Sequence, residues 1–158
     1  MNRRFPPSRR TFFVSFAAVL AGVRGSLAQV MPEVAVTKDP SCGCCEAWVS
    51  HLRKEGFPVR VMDAAVNPVK ARLGVPRQLA SCHTAQVGGY VVEGHVPAAA
   101  IRRLLTELPA GTGLAVPGMP VGSPGMEVEG MEAATYEVIL FGPGGRSIFG
   151  RFRGSQAV

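Results

Sequence analysis

The sequence predicts a mixed α/β fold, and three observations in its apolar pattern support this class. Apolar residues recur at i, i+3, i+4 and i+7 through residues 45–52 and again through residues 101–108, as on a half-buried helix. A short β-type run, residues 34–37, precedes the first of these stripes. The dipeptide Gly88-Gly89 joins two further β-type runs in the manner of a hairpin turn. We therefore expect helices packed on a sheet.

Each predicted element has recognisable end signals. Residues 38–41 form a turn and cap segment before the first helix, and Gly56 ends that helix. Gly74 ends a short helix at residues 67–73, while Pro97 lies in the first turn of the last helix and Pro109 stops it. The predicted strands of this part are residues 34–37, 57–62, 84–87 and 90–93.

This order, β-α-β…β-β-α with cysteines opening the first helix, resembles a thioredoxin-like core. The cysteines then lie beyond the carboxyl end of the first strand, where open α/β sheets place their sites. Cys42 and Cys45 have the C-x-x-C spacing of a redox pair at that position. Val75-Pro76, just before the hairpin region, is a candidate match to the cis-proline that faces the thiols in this fold.

The last third of the chain differs in composition. Residues 111–130 are rich in Gly, Pro and Met, and this density of proline and glycine predicts a loop or mobile flap without regular structure. Residues 136–141 and 147–152 flank Gly142-Pro143-Gly144-Gly145, which predicts a C-terminal β-hairpin.

Residues 1–28 have the features of a signal peptide that is cleaved from the mature protein. Four arginines precede an apolar run, residues 12–23, which is too short for a membrane span of about 20 residues. Ser26-Leu27-Ala28 is a small-x-small cleavage site, and residues 8–13 resemble the twin-arginine export motif. We expect a periplasmic protein exported by the twin-arginine route, with the general secretory route as the alternative.

Cleavage changes the charge of the protein. The net charge of +6 falls almost to zero, because all five basic residues of residues 1–28 leave and 12 Lys and Arg remain against 11 Asp and Glu. No basic patch remains that predicts binding to nucleic acid or to an anionic membrane. Residues 29–158 have the length of one domain, and we expect a single metal-binding domain there.

Three of the four cysteines lie within four positions, Cys42-Gly43-Cys44-Cys45, and the fourth is Cys82. Thiols at a helix N-terminus ionise more easily and react faster than ordinary thiols. Cys42 and Cys45 share one side of a helical turn and can chelate one metal ion or close one disulfide. Cys44 exceeds what a dithiol redox centre needs, so the cluster predicts metal or redox chemistry.

Copper is the metal that this cluster favours. Sites made only of thiolates select Cu(I), zinc or iron–sulfur clusters. Zinc sites usually contain two separated cysteine or histidine pairs, and iron–sulfur sites need more widely spaced cysteines. Adjacent thiolates can bridge ions, which suits Cu(I). Zinc is therefore the less favoured metal, and an iron–sulfur cluster ranks last.

Disulfides provide a structural alternative. Export would place four cysteines in an oxidising compartment, where three pairings are open to them. Cys44 and Cys45 are adjacent, with Cα atoms about 3.8 Å apart, and this is below the usual disulfide range. A pairing of Cys42 with Cys45 and of Cys44 with Cys82 is sterically allowed, so a disulfide-stapled binding domain stays open.

Two methionines and one histidine are further candidate ligands. Met119 and Met126 offer soft thioether sulfur atoms that cannot form disulfides, or else they pack the proline-rich loop onto the sheet. His83 follows Cys82 directly, so it is a candidate ligand or a residue that sets the acidity of that thiol.

The other histidines and the tryptophan have less specific predictions. His95 precedes Pro97 and is expected to serve the entry of the last helix, and His51 is offset from the apolar stripe and is expected to face solvent. Trp48 is expected in the core, where it also shields the cysteine site.

Several ordered motifs together resemble the CopG-type copper-resistance proteins, small exported proteins catalogued as a domain of unknown function, number 411. These motifs are residues 42–45 with Trp48, and residues 74–76, 81–85, 94–98 and 113–127. The resemblance implies a thioredoxin-like fold and a thiolate-bridged, multinuclear Cu(I) cluster. It also implies that Cys42, Cys44 and Cys45 are ligands, with Cys82 as the fourth sulfur.

The first hypothesis is therefore a periplasmic copper-binding protein of copper resistance or homeostasis, rather than a classical enzyme. It would exchange copper ions with other periplasmic copper-handling proteins and could convert copper between oxidation states. The alternative is a thiol–disulfide oxidoreductase, with Cys42 as nucleophile and Cys45 as resolving thiol.

Overall fold

The computed structural model describes residues 31–158, which form a mixed α/β structure on one eight-stranded sheet. The strands are β1 (Val34–Lys38), β2 (Val59–Asp63), β3 (Thr84–Val87), β4 (Tyr90–Gly94), β5 (Gly113–Val116), β6 (Thr135–Gly142), β7 (Gly145–Arg153) and β8 (Gln156–Ala157). The helices are α1 (Gly43–Lys54), α2 (Val66–Arg72) and α3 (Ala98–Glu107), with a 3-10 turn at Arg77–Leu79. The predicted α/β class is confirmed.

The strand order across the sheet is β2-β1-β3-β4-β5-β6-β7-β8. Strands β1 and β2 are parallel, as are β4 and β5, and the other neighbouring pairs are antiparallel. The two predicted hairpins, β3–β4 and β6–β7, are both present. Residues 42–45, which contain three of the cysteines, follow the carboxyl end of β1.

Helices cover both faces of the sheet. Helices α1 and α3 contribute Trp48, Leu52 and Ile101 to the main core, which includes Val92 of β4. The neighbouring Val91 belongs to a smaller core on the opposite face, beside the 3-10 turn. Trp48 is fully buried and donates its indole N–H to the carbonyl of Val96 at 2.9 Å, so its predicted place in the core is confirmed.

The predictions for His51 and His95 are both wrong. His51 is half-buried, and its Nε2 accepts the backbone N–H of Ala98 at 3.2 Å, so His51 satisfies an open donor at the start of α3. His95 is fully buried and turns toward the cysteines instead. The sequence pattern could not show this exchange of roles, because both contacts join residues far apart in the chain.

Strand β5 corrects the prediction that residues 111–130 lack regular structure. The four residues Gly113–Val116 precede the first proline of that segment. All four are buried, and the strand they form lies between β4 and β6. A Cβ atom on Gly113 would lie 1.9 Å from the carbonyl oxygen of Val91, so glycine permits the close approach of β5 to β4.

The remainder of the segment rich in Gly, Pro and Met, residues 117–130, has no helix or strand, and neither do residues 131–134 that lead into β6. Within residues 31–158 no peptide bond is cis, so the match of Val75-Pro76 to a cis-proline is wrong.

Within residues 31–158 we find no helix with the length and apolar character that a membrane crossing requires. The predicted signal peptide, residues 1–28, lies outside the described residues and stays a prediction.

Acidification is expected to destabilise the protein in part through His51. Burial lowers the pKa of His51 below its usual 6.5, and this outweighs the opposing charges of Glu55 and Glu127. Arg102 and Lys54 also lower this pKa. The unfolded chain therefore binds more protons than the folded chain, and the free energy of unfolding decreases as the pH falls below about 6.5.

Urea unfolding of the wild type and of His51→Gln, measured above and below that pH, tests this expectation. The variant is expected to lose less stability on acidification than the wild type. Its remaining pH dependence should come from His83 and His95, whose pKa values burial also lowers. Equal losses in the two proteins would contradict the role of His51.

Candidate metal centre

The turn before α1 determines where the cysteine cluster begins. The carboxylate of Asp39 accepts hydrogen bonds from the hydroxyl and the backbone N–H of Ser41, at 2.5 and 2.9 Å. These bonds hold the pKa of Asp39 below its ordinary value. The backbone N–H of Cys42 donates to the carbonyl of Asp39 at 3.1 Å, and Cys42 then caps helix α1. The cysteines therefore occupy the cap and first turn of the helix.

The structure brings all four cysteines together. Cys42 and Cys45 form a disulfide, and Cys44 and Cys82 are free thiols. The Cys44 sulfur lies 3.5 Å from that of Cys42 and 3.9 Å from that of Cys82. The four sulfur atoms all lie within 4.8 Å of one another, a spacing that can hold metal ions. Only the first of the two disulfides in the stapled alternative is present.

Cys82 is also the centre of a second group of potential ligands. Its sulfur lies 3.3 Å from Nδ1 of His83 and 3.1 Å from Nε2 of His95. These three side chains could hold one ion, and they share Cys82 with the cysteine cluster. The two groups are therefore continuous, with soft sulfur on one side and imidazole nitrogen on the other.

The contacts of His95 assign its ring nitrogens. Nδ1 lies 2.8 Å from the carbonyl oxygen of Pro124, and because a carbonyl can only accept, Nδ1 carries the proton and donates it. In the neutral ring Nε2 then keeps its lone pair, which faces the Cys82 sulfur. Burial lowers the pKa of His95 and favours this neutral form. His95 thus has the tautomer and orientation of a metal ligand.

His83 lies at the inner side of the centre. Its ring is fully buried against the indole of Trp48, with the ring centroids 4.3 Å apart. Burial, the neighbouring His95 and the charge of Lys70 hold the pKa of His83 well below its ordinary value, so the ring is neutral. Its Nε2 atom has no hydrogen-bond partner among residues 31–158. Trp48 covers this histidine, as its predicted shielding role requires.

The environment of Cys82 keeps its thiol protonated. Burial, followed by the proximity of Cys44, raises the pKa of Cys82 to about 11. Metal ligation requires the thiolate, so an ion that binds Cys82 near neutral pH must displace a proton. Metal affinity at this centre is therefore coupled to pH.

The segment of residues 117–134 covers the first turn of α1. Gly125 has φ +86°, and a Cβ atom there would lie 2.7 Å from the carbonyl oxygen of Cys44 and 2.7 Å from the backbone nitrogen of Trp48. Met126 follows Gly125 directly and is half-buried, whereas Met119 lies at φ +50° and is 42% exposed. Their roles as ligands stay predictions.

Sequence reasoning missed two features of the centre. The first is His95, whose position at the end of a strand and beside the Cys82 hairpin was a usable signal. The second is a buried ion pair of Lys70 and Glu93, 2.6 Å between Nζ and Oε1, behind the Cys82 segment. A glutamate that follows three apolar strand residues, as Glu93 does, could have been recognised as a buried charge in need of a partner.

Fold and site together define a class, the cysteine-rich proteins that can bind soft metal ions on an α/β scaffold. The family described as "Protein of unknown function, DUF411" matches residues 79–126. Two solved structures, described as copper resistance protein CopG in forms 2 and 1, are each 43% identical to this chain. They cover 77% and 78% of it and 98% and 99% of their own chains, with TM-scores of 0.70 and 0.71. No curated protein matches significantly.

The chain belongs to the CopG-type family of copper-resistance proteins, as its motifs predicted.

Proposed function

We propose that this protein binds Cu(I) in the periplasm and serves copper resistance or homeostasis. Its ligands are Cys42, Cys44, Cys45 and Cys82, and the observation that carries the proposal is their four sulfur atoms within 4.8 Å. Thiolates are soft ligands that prefer Cu(I). The solved relatives, described as copper-resistance proteins, support copper over zinc.

Two sulfur contacts support a multinuclear cluster. Cys44 lies between Cys42 and Cys82, at 3.5 and 3.9 Å, and a thiolate between two others can bridge two ions. His83 and His95 extend the ligand set with nitrogen atoms, and Met119 and Met126 are the further candidates from the covering segment.

The Cys42–Cys45 disulfide supports a redox role for the same cluster. Cu(I) can use Cys42 and Cys45 only after a dithiol reductant has supplied two electrons and two protons, which converts their disulfide to two thiols and leaves the reductant as a disulfide. In the opposite direction, the two thiols can each lose a proton and together give two electrons to two Cu(II) ions. This yields the disulfide and two Cu(I), so the reaction is balanced.

The proposal also includes a thioredoxin-like core and a periplasmic location for the protein. The strand order β2-β1-β3-β4 supports a thioredoxin-like core, because β1 and β2 are parallel and β3 is antiparallel to both of its neighbours. Residues 29–158 form a single mature domain, residues 1–28 are the cleaved signal peptide, and other periplasmic copper-handling proteins are its partners.

Metal loading tests the proposal directly. The reduced protein, loaded anaerobically with Cu(I), is expected to keep more than one copper per chain through desalting and to develop thiolate-to-copper charge-transfer absorption. Loading with Zn(II) in parallel should leave fewer ions per chain. Loading at higher pH should strengthen Cu(I) binding, because Cys82 must lose its proton. A protein that keeps no copper would overturn the proposal.

The disulfide also favours a second candidate, a thiol–disulfide oxidoreductase. The Cys42–Cys45 bridge has the C-x-x-C spacing of such enzymes and lies at the start of a helix. In this function the thiolate of Cys42 attacks a substrate disulfide, and Cys45 then displaces the reduced substrate as it re-forms the bridge. Cys44 and Cys82 have no necessary part in that cycle.

A further inference from the structure

A buried ion pair holds the segment that carries Cys82. Lys70 of α2 and Glu93 of β4 have side chains that are 6% and 0% exposed, with 2.6 Å between Nζ and Oε1. Burying two charges is costly, and apolar residues in their place are often equally stable. Stability alone therefore gives little reason for this pair.

The same carboxylate oxygen also binds the backbone next to Cys82. Oε1 of Glu93 accepts the N–H of Ser81 at 2.6 Å, and the N–H of Gly94 donates to the carbonyl of His83 at 3.1 Å. The residues on both sides of Cys82 are thus tied to the end of β4.

Gly94 brings the two segments into close contact. Its φ is +72°, and a Cβ atom there would lie 2.6 Å from Cβ of Ser81 and 2.7 Å from the carbonyl oxygen of Val116. The Ser81 backbone therefore lies directly against β4, where the carboxylate of Glu93 can reach its N–H. Lys70 approaches from α2 and bonds the same oxygen, Oε1, whereas the other oxygen, Oε2, has no hydrogen-bond partner among residues 31–158.

We propose that Lys70 and Glu93 are positioning residues that set the distance of the Cys82 sulfur from Cys44 and His95. This inference rests on the proposed function, because the sulfur so positioned is a Cu(I) ligand there. The chain of contacts runs from the ammonium group to the carboxylate, to the Ser81 N–H and to the adjacent Cys82. Groups that orient ligands in this way commonly change metal affinity by about 10- to 100-fold.

Two double variants separate the hydrogen bond from the charge. Lys70→Met/Glu93→Gln removes both charges and keeps a carbonyl oxygen for Ser81, whereas Lys70→Met/Glu93→Met removes the acceptor as well. We expect the second variant to bind Cu(I) about tenfold more weakly than the first, with a shifted charge-transfer band. Glu93→Asp keeps both charges but withdraws the acceptor by one methylene, and it should also weaken Cu(I) binding. It replaces the second variant in this test if that variant does not fold.

A measurement without copper separates this inference from the proposed function. In a Cys44→Ser background with the Cys42–Cys45 disulfide intact, Cys82 is the one free thiol. Its alkylation by iodoacetamide should be several-fold faster in Lys70→Met/Glu93→Met, which lacks the acceptor, and in Glu93→Asp, which withdraws it, than in Lys70→Met/Glu93→Gln, which keeps a carbonyl oxygen for Ser81. Equal rates in all of these proteins would overturn the positioning role. A rate difference in a protein that binds no Cu(I) would uphold it while the copper function failed.

Discussion

Replacing Cys44 with serine is expected to abolish the multinuclear copper cluster. The Cys44 sulfur is the one that lies near both Cys42 and Cys82, at 3.5 and 3.9 Å. A serine hydroxyl is a hard ligand that does not bridge Cu(I) ions, so the three remaining cysteine sulfurs lose the bridging thiolate between Cys42 and Cys82. After anaerobic loading and desalting, Cys44→Ser should retain at most one copper per chain and lose the bridged-thiolate absorption.

The same variant separates the two candidate functions. A thiol–disulfide oxidoreductase needs Cys42 and Cys45, so Cys44→Ser would keep disulfide reductase activity while Cys42→Ser would lose it. Ser50→Ala, on the same helix and outside the cluster, is the control and should bind copper as the wild type does. Full copper loading of Cys44→Ser would show that the bridging role is wrong.

Replacing Gly125 with alanine is expected to displace the covering segment and to weaken metal binding. The new Cβ would lie 2.7 Å from backbone atoms of Cys44 and Trp48, and φ there is +86°. Left-handed backbone costs a non-glycine residue about 1–2 kcal/mol, and overpacking against backbone adds about 1–3 kcal/mol. The carbonyl of Pro124 then moves from His95, which loses the bond that sets its tautomer. Chemical unfolding and Cu(I) affinity measure the two effects.

Gly130→Ala is the matched control for this prediction. Gly130 has a similar φ, +76°, but a Cβ atom there meets nothing within 4 Å. This variant should show the loss of stability from backbone strain alone, about 1–2 kcal/mol, with unchanged copper affinity. If Gly125→Ala and Gly130→Ala behave alike, the covering segment does not act on the metal centre.

Local pattern was enough to predict most of the elements. The apolar stripes of α1 and α3 and the Gly-Gly turn of the β3–β4 hairpin depend on neighbours within a few residues, and the structure contains all of them. Strand β5 escaped prediction because its conformation depends on its partners. Gly113 is a weak strand former by itself, but it permits β5 to approach Val91 of β4 closely.

The residues of the candidate site also divide into those that local sequence indicates and those that only the fold brings together. Cys42, Cys44 and Cys45 were recognisable because their spacing is a local property with a known chemistry, and Cys82-His83 stood out beside them. His95 was assigned the wrong contact, since 13 residues separate it from Cys82 and only the pairing of β3 with β4 brings the two together. Lys70 and Glu93 belong to different elements, so their ion pair became visible only in three dimensions.

By itself, the sequence determined the α/β class, the family and the thiol cluster, because periodicity, turn residues and cysteine spacing act over a few positions. Tertiary structure alone decided which sulfurs approach one another, which histidine faces Cys82 and which glycine lets a loop lie on α1. These contacts form where backbone segments meet at van der Waals distance. Because the interior is close-packed, a displacement of a few tenths of an ångström decides whether a side chain can act as a ligand.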